Sequence, residues 1–435
     1  MKEFDGMSVV RNVCEYAKKN GAEKAQVKLG REEKYELNVE AGKMSLYRTT
    51  VNTSLGITVL TANRKGSVNV NHYDEDSIKN AVNEALVLAK ASESDSANDI
   101  SPNRQLESFS SGPSEADSAV MYDQLKEYID SGVIKHPDTK FEQCILDFTF
   151  DESFFSNTNG AEFTEKSGYY SFFAMFTTKI GAKSSSFNYS GAAHRNLAEK
   201  LWHWGNIEEL VRQSTEQTDV KTVDSSFTGD VIITPDCLGT FIQFMNGVYL
   251  GDVALVTGNS PWKDMIGKVV ASPLLSVHSA PNGPDVEVGY SFTADGFRAE
   301  NCSLINKGVL ENFTLGLYGS NKTGKPRCPS GGGAIYVHNG DTSLADMIAD
   351  VKKGILLGRF SGGNPAENGD FSGVAKNSYY IENGKIVRPV GETMIAGNIA
   401  SLFKELRAIS REQIDFGYEK MPWILSGNVT VSGKN

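Results

Sequence analysis

The sequence predicts an α+β protein with a small N-terminal α+β domain, a middle strand–helix unit and a larger β-rich C-terminal domain. Three observations carry this expectation. Helical and period-two apolar patterns occur together within residues 1–91. Residues 92–118 are rich in Ser, Asn, Asp and Gly and poor in apolar side chains, as befits a linker or long surface loop. After the middle unit, 119–222, short strand-like runs and glycine turns replace helical periods over 227–435. A length of 435 residues exceeds one small core and suits two or three domains.

The first helix rests on Val9, Val10, Val13, Cys14, Tyr16 and Ala17, and Asn20-Gly21 closes it. Alternating strands are predicted over 25–29, 35–39, 44–47, 55–60 and 67–71, punctuated by Ala41-Gly42-Lys43 and Asn63-Arg64-Lys65-Gly66. Asp74 to Ser77 supplies an acidic start for a helix over 78–91. The middle unit predicts a short helix around 121–129. Strands over 144–151 and 168–179 flank the hairpin signal Ser156-Asn157-Thr158-Asn159-Gly160. A helix from Arg195 to Gln217 carries Trp202, His203 and Trp204, an aromatic cluster suited to packing or an interface. Farther on, a strand over 230–234 leads into a helix over about 237–247. Strand-like segments follow at 286–292, 304–305, 309–315 and 379–381, and a helix over 395–409 ends the main body. Gly331-Gly332-Gly333, Gly362-Gly363 and Asn368-Gly369 mark backbone of close approach or positive φ.

Lys and Arg number 43 against 54 Asp and Glu, a net charge of −11 that disfavours direct nucleic-acid binding. Met1 to Gly6 has no apolar run behind its charges, so no signal peptide is expected. No apolar stretch approaches the roughly 18 residues that span a bilayer. A cytoplasmic location without membrane contact is the expectation. Cys14, Cys144, Cys237, Cys302 and Cys328 are widely spaced and odd in number, and read as buried thiols of a reduced compartment.

Gly319 to Lys325 fits GxxxxGK, but Pro326 stands where a phosphate loop needs Ser or Thr for magnesium. Proline also removes an N–H from the phosphate cradle. A surface loop is expected there. No GxSxG elbow occurs. Of the six histidines, the closest pair, His194 and His203, is nine residues apart, and no HExxH or HExxxH exists. The remaining arrangement for a metal is convergence of His278 and His338 with Asp252 or Asp264.

The most informative residues are Gly369-Asp370-Phe371-Ser372-Gly373, then Tyr380 to Ile386 and Thr393 to Ile399. With Gly308 to Phe313 and Gly354 to Leu357 before them, their order resembles the C-terminal signature of the TldD/PmbA family. That family also carries the older label modulator of DNA gyrase. Its catalytic members are zinc metallopeptidases with HExxxH on a helix that follows a strand and short turn. Here Val231 to Pro235 resembles the strand and Leu238 to Ile242 the helix start. Gln243 then falls at the first histidine, Phe244 at the glutamate and Val248 at the second histidine. An amide, a phenyl ring and an isopropyl group neither bind zinc nor activate water. The C-terminal cysteine ligand of the catalytic members is also missing from Met421 to Gly427 and beyond.

The resemblance implies the PmbA/TldE-type branch, a non-catalytic partner subunit without its own metal. Its partner would be a TldD-type subunit that supplies zinc, or a second copy of the chain. It implies a closed two-subunit shell that processes short or unfolded peptides, including leader peptides and small antitoxins. Gly369, Asp370, Phe371 and Ser372 are then candidates for a substrate-cleft wall or the subunit interface, since glycine suits an extended peptide pairing with a sheet edge. Their plain reading is a tight turn between core strands. Two other readings stay open: an autonomous homodimeric peptidase with ligands from His278, His338 and aspartates, and a β-rich peptide-binding scaffold.

Overall fold

A computed structural model describes residues 5–102, 104 and 106–433. Met1 to Phe4, at the heart of the signal-peptide expectation, lie outside the described residues. Helix α1 (Gly6–Lys19) is capped by Asp5, whose carboxylate accepts from Ser8 N–H, and it buries Val10, Val13, Cys14 and Ala17. Strands β1 (Lys24–Glu40), β2 (Lys43–Thr61) and β3 (Arg64–Val70) form an antiparallel meander. Helix α2 (Glu75–Ala91) starts on Asp74, which accepts from Ser77 N–H as the acidic signal predicted. It presses on β3 so closely that a Cβ at Gly66 would overlap the Ala85 carbonyl.

Strand β4 (Leu106–Ser111) and helix α3 (Ser118–Lys135) come next. They lead to β5 (Thr139–Asn157), β6 (Glu162–Ile180), β7 (Lys183–Ser184) and β8 (Asn188–His194), then a 3-10 turn at Leu201–His203 and α4 (Ile207–Glu216). One sheet runs β3-β2-β1-β5-β6-β4, with β7 and β8 also on β6. The pairing of β1 with β5 extends from Gln26 opposite Asn157 to Glu40 opposite Gln143, so residues on both sides of the 92–118 segment share this sheet.

Several expectations need correction here. The strands over 25–29 and 35–39 are one strand, as are 44–47 and 55–60. Apolar alternation lapses at Arg31 to Lys34, but cross-strand ion pairs keep the ladder intact there: Arg31 reaches Glu152 at 3.0 Å and Lys34 reaches Asp147 at 3.6 Å. Within the expected loop, Leu106–Ser111 pairs parallel with β6. The helix expected over Arg195 to Gln217 is broken by Gly205 at φ +58° into the 3-10 turn and α4. Trp202 and Trp204 are buried beside Tyr128 and Phe172 of this chain's own core, and Trp202 Nε1 donates to Ser131 Oγ at 2.7 Å. They are packing residues.

The second sheet begins with β9 (Phe227–Ile233), followed by α5 (Pro235–Met245), a π turn (Asn246–Leu250) and α6 (Asp252–Val256). Then come β10 (Val277–Ser279), β11 (Cys302–Asn306), β12 (Val309–Leu310), α7 (Leu317–Thr323), β13 (Ile335–Val337) and α8 (Leu344–Asp350). Strands β14 (Lys353–Leu357), β15 (Arg359–Gly362), β16 (Asp370–Lys376), β17 (Ser378–Glu382), β18 (Lys385–Val390) and β19 (Thr393–Asn398) precede α9 (Ile399–Lys404). Strands β20 (Leu406–Asp415) and β21 (Lys420–Gly433) complete the fold. The sheet path is β12-β11-β10-β13-β21-β9-β14-β17-β18, and β21 also carries β19 and β20.

Residues 286–292 form only an isolated bridge, Phe292 to Arg298, and 309–315 yields the two-residue β12 and an isolated bridge from Thr314 to Gly251. The helix expected over 395–409 is instead β19, α9 and β20. Ile395 pairs with Gly373 and Val431, and Asn398 caps α9 by accepting from Ser401 N–H. Cross-strand pairing overrides the helical spacing of that stretch. The GxxxxGK stretch is mostly helix, not loop. It is α7, closed by Gly324 at φ +70°, with the Asp252 and Asp295 carboxylates accepting from Gly316 and Leu317 N–H at its start. Two carboxylates thus satisfy the first N–H groups of α7, and the motif lies within and after the helix, not in a loop before one.

Candidate functional site

Helix α5 is set by the end of β9. Pro235 occupies the first helical position, where its missing N–H is no loss and its fixed φ suits the turn. Leu238, Phe241, Ile242 and Met245 anchor one side in the core, leaving Gln243 exposed and Phe244 and Val248 half-buried. Residues five apart on a regular α-helix point about 140° away from each other. The helix widens after Met245 into its π turn, closed by Gly251 N–H donating to Asn246 O at 2.8 Å. Gln243, Phe244, Gly247 and Val248 consequently line one cavity of about 320 Å³.

The segment 364–367 supplies another part of its wall, together with Val253, Ala254 and Thr257. Asn259 Nδ2 donates to Glu367 Oε1 at 3.1 Å along this wall. That segment runs directly into Gly369. The degenerate window and the segment leading into the glycine block thus share one cavity, whose lining stops at Glu367 and does not include Gly369 to Ser372.

Gly369 adopts φ +89°, and a Cβ there would overlap the Tyr249 hydroxyl. Tyr249 donates to Asn368 O at 3.3 Å and stacks on Trp262. Asp370 is exposed. Asn398 Nδ2 at 2.9 Å and Asn368 Nδ2 at 2.8 Å hold its carboxyl below the usual carboxylate range. Phe371 is buried edge-on to Phe241 at 5.2 Å, whereas Ser372 is exposed on β16. The block is thus a tight turn into a core strand, just beyond the segment that lines the cavity.

The window does not fit a zinc ion. Zinc takes nitrogen, sulfur or carboxylate donors. Phe244 instead packs its ring against Phe241 and Phe360, at 5.9 and 5.8 Å. His278 and His338 do converge, with ring centroids 4.6 Å apart, His278 on β10 and His338 directly after its partner strand β13. Asp252 and Asp264 do not join them: Asp252 accepts from Gly316 N–H and Asp264 lies 3.6 Å from Lys325. Among the described residues no group of three or more His, Cys, Asp or Glu is placed to hold a metal ion.

A second space lies between the two sheets, at the other end of α5. Asp236, Arg359, Tyr418 and Glu419 line about 450 Å³ against β6 and β8. Tyr169 joins it to a further 500 Å³ bordered by Glu32, Asp151, Glu165 and Tyr290. Asp236 accepts from Ser190 Oγ at 2.8 Å and Asn206 Nδ2 at 2.9 Å, yet burial pushes its carboxyl upward. Burial, and secondarily Asp236, push Glu419 up to about 7. Burial, and secondarily Glu32, push Asp151 up to about 6. Sequence reasoning missed this cleft. Its carboxylates come from five separate elements, and an acid in the first turn of a helix, as Asp236 is, reads as an ordinary dipole partner.

The fold and site define a two-sheet α+β protein with a cavity beside the helix that follows the first strand of its C-terminal half. Residues 226–433 match the PmbA/TldA metallopeptidase C-terminal domain, and residues 25–89 match PmbA/TldA metallopeptidase domain 1. The chain belongs to the TldD/PmbA family. It is 27% identical over 226 residues to a metalloprotease of Methanothermobacter thermautotrophicus, an alignment covering 48% of this chain and 49% of that one. It therefore spans about half the length of that relative. It is 23% identical over 387 residues to the metalloprotease PmbA homolog of Haemophilus influenzae, covering 82% and 80% of the two chains. The crystal structure of TldE from Thermococcus kodakarensis shares the fold, with a TM-score of 0.84 at 18% identity, over 98% of this chain and all of that one. No helix among the described residues is long and apolar enough to cross a membrane.

Proposed function

We propose that this chain is a PmbA/TldE-type, non-catalytic subunit of a peptidase that processes short or unfolded peptides. The observation that carries this reading is the chemistry of one cavity. Where catalytic members of the family are expected to present two histidines and a glutamate, Gln243, Phe244 and Val248 line a largely apolar hollow. Such a hollow suits a peptide side chain better than an ion. The exposed side chains of Asp370 and Ser372, on the strand that follows the 364–367 wall, would offer polar contacts to a bound peptide. A TldD-type partner subunit would bring zinc and the hydrolytic groups, while this chain binds and orients the peptide. The cytoplasm is the proposed site of action.

The test is the zinc content of the chain purified alone, after zinc addition and desalting, with peptide hydrolysis measured in parallel. Substoichiometric zinc and no turnover are expected. One tightly held zinc per chain with zinc-dependent cleavage would overturn the proposal and make His278 and His338 the residues to mutate.

A further inference from the structure

The five cysteines are free, but two of them are not isolated. Cys302 lies on β11 and Cys328 follows α7, and their sulfurs are 3.7 Å apart. The two segments are tied together by Glu300 N–H donating to Pro329 O, at 3.2 Å. Ser330 Oγ sits 3.4 Å from one sulfur and 3.2 Å from the other. Cys328 is fully buried, and Cys302 is partly open to solvent. Cys14, Cys144 and Cys237 have no such neighbour among the described residues and are buried.

We propose that Cys302 and Cys328 are an oxidation site that closes to a reversible disulfide with a peroxide as oxidant. Closure needs the sulfurs to approach from 3.7 Å to about 2.05 Å, within reach of side-chain rotation plus a small shift of the loop. The loop is suited to that shift, because Gly331 and Gly332 lie at φ +82° and +86°. The thiolate is the reacting form. Hydrogen bonding within the pair first, and from Ser330 next, lowers the Cys328 thiol despite its burial. The thiolate attacks one peroxide oxygen, breaking the O–O bond and leaving a sulfenic acid and hydroxide. The second sulfur then displaces the sulfenic oxygen, forming the S–S bond, and the proton from its thiol completes a water molecule. Two thiols and one hydrogen peroxide give one disulfide and two waters. Both sulfurs are oxidised and both peroxide oxygens reduced.

The pair adjoins the cleft between the sheets. Tyr290 donates to Ser330 O at 2.9 Å and accepts from Gly333 N–H at 3.0 Å, and its side chain borders the 500 Å³ space. A disulfide would withdraw both thiol contacts from Ser330, the residue that anchors that tyrosine.

The test uses the full native chain and hydrogen peroxide, followed by denaturing alkylation and tryptic mapping without reductant. The expected result is a fall in free thiols from five to three, with peptides 299–307 and 328–352 covalently joined. Dithiothreitol restores all five, and Cys302→Ser abolishes the joined species. Five thiols surviving peroxide, or thiol loss without the joined peptides, would overturn the proposal. The wild-type map decides the matter even where the variant fails to fold.

Discussion

Gly369 combines a backbone that L side chains rarely adopt with no room for a Cβ, so its replacement acts twice. Gly369→Ala is expected to destabilise the protein by about 1–3 kcal/mol in urea unfolding. Adding Tyr249→Phe should recover part of that loss by removing the overlapped hydroxyl. Glu419 gives a prediction of opposite character. Its carboxyl is raised from 4.5 to about 7, so the folded state binds more protons than the unfolded state between those values. Stability should therefore fall as pH rises from 4.5 to 7 and level off above it. Glu419→Gln should flatten this slope and stabilise the chain at pH 8 by on the order of 1–2 kcal/mol, a figure reduced for partial solvent access. Urea titrations across the pH range measure both effects. A slope unchanged in the variant would move the titration to Asp236 or Asp151, whose carboxyls are raised as well.

Helix α5 is the element on which site and core meet. Phe241 is fully buried and contacts Phe244, Phe360 and Phe371, whereas Gln243, two residues on, is exposed at the cavity. Phe241→Ala should cost about 3–5 kcal/mol, as for other buried aromatic truncations. Gln243→Ala should change stability by no more than about 0.5 kcal/mol. A thermal shift assay separates them at once, and a large loss in the Gln243 variant would contradict this division of the helix. The strand before α5 and the body of the helix were legible in the sequence, but its start at Pro235 was placed two residues late. The π turn was not, because widening a helix depends on what Tyr249 stacks against and where Ser260 hydrogen-bonds, not on local spacing. The misread helix over 395–409 has the same origin: β16 and β21 supply the partners that turn Ile395 into a strand residue.

At the scale of the whole molecule, polar clamps are among the contacts that join the two sheets. Glu287 meets His194 Nδ1 at 2.7 Å and Arg195 N–H at 2.6 Å, while Arg195 also donates to Ser167 Oγ and Gly168 O at 2.8 Å. Asp95 meets Lys322 at 2.8 Å and Tyr318 at 3.0 Å on the other side. Glu287→Ala should lower stability by about 1–3 kcal/mol, since it leaves His194 Nδ1 and the Arg195 backbone N–H without their partner. Differential scanning calorimetry should show the single transition broaden or split if this clamp couples the two halves. A transition of unchanged shape and midpoint would assign the coupling to the apolar contact of Phe155 and Phe163 with Phe292.

The sequence by itself determined the α+β class, the family, the strand-then-helix order around residues 230–247 and the chemical character of the window at Gln243, Phe244 and Val248. These follow from residue type and short-range spacing, and a side chain's donor atoms do not depend on the fold around it. Only the tertiary structure decided that the window shares a cavity with the segment leading into Gly369. It alone brought Asp236 beside Glu419 and set Cys302 against Cys328. Those encounters join residues 26 to 183 positions apart. Contacts at such separations are fixed by strand pairing and sheet packing, which no local pattern encodes.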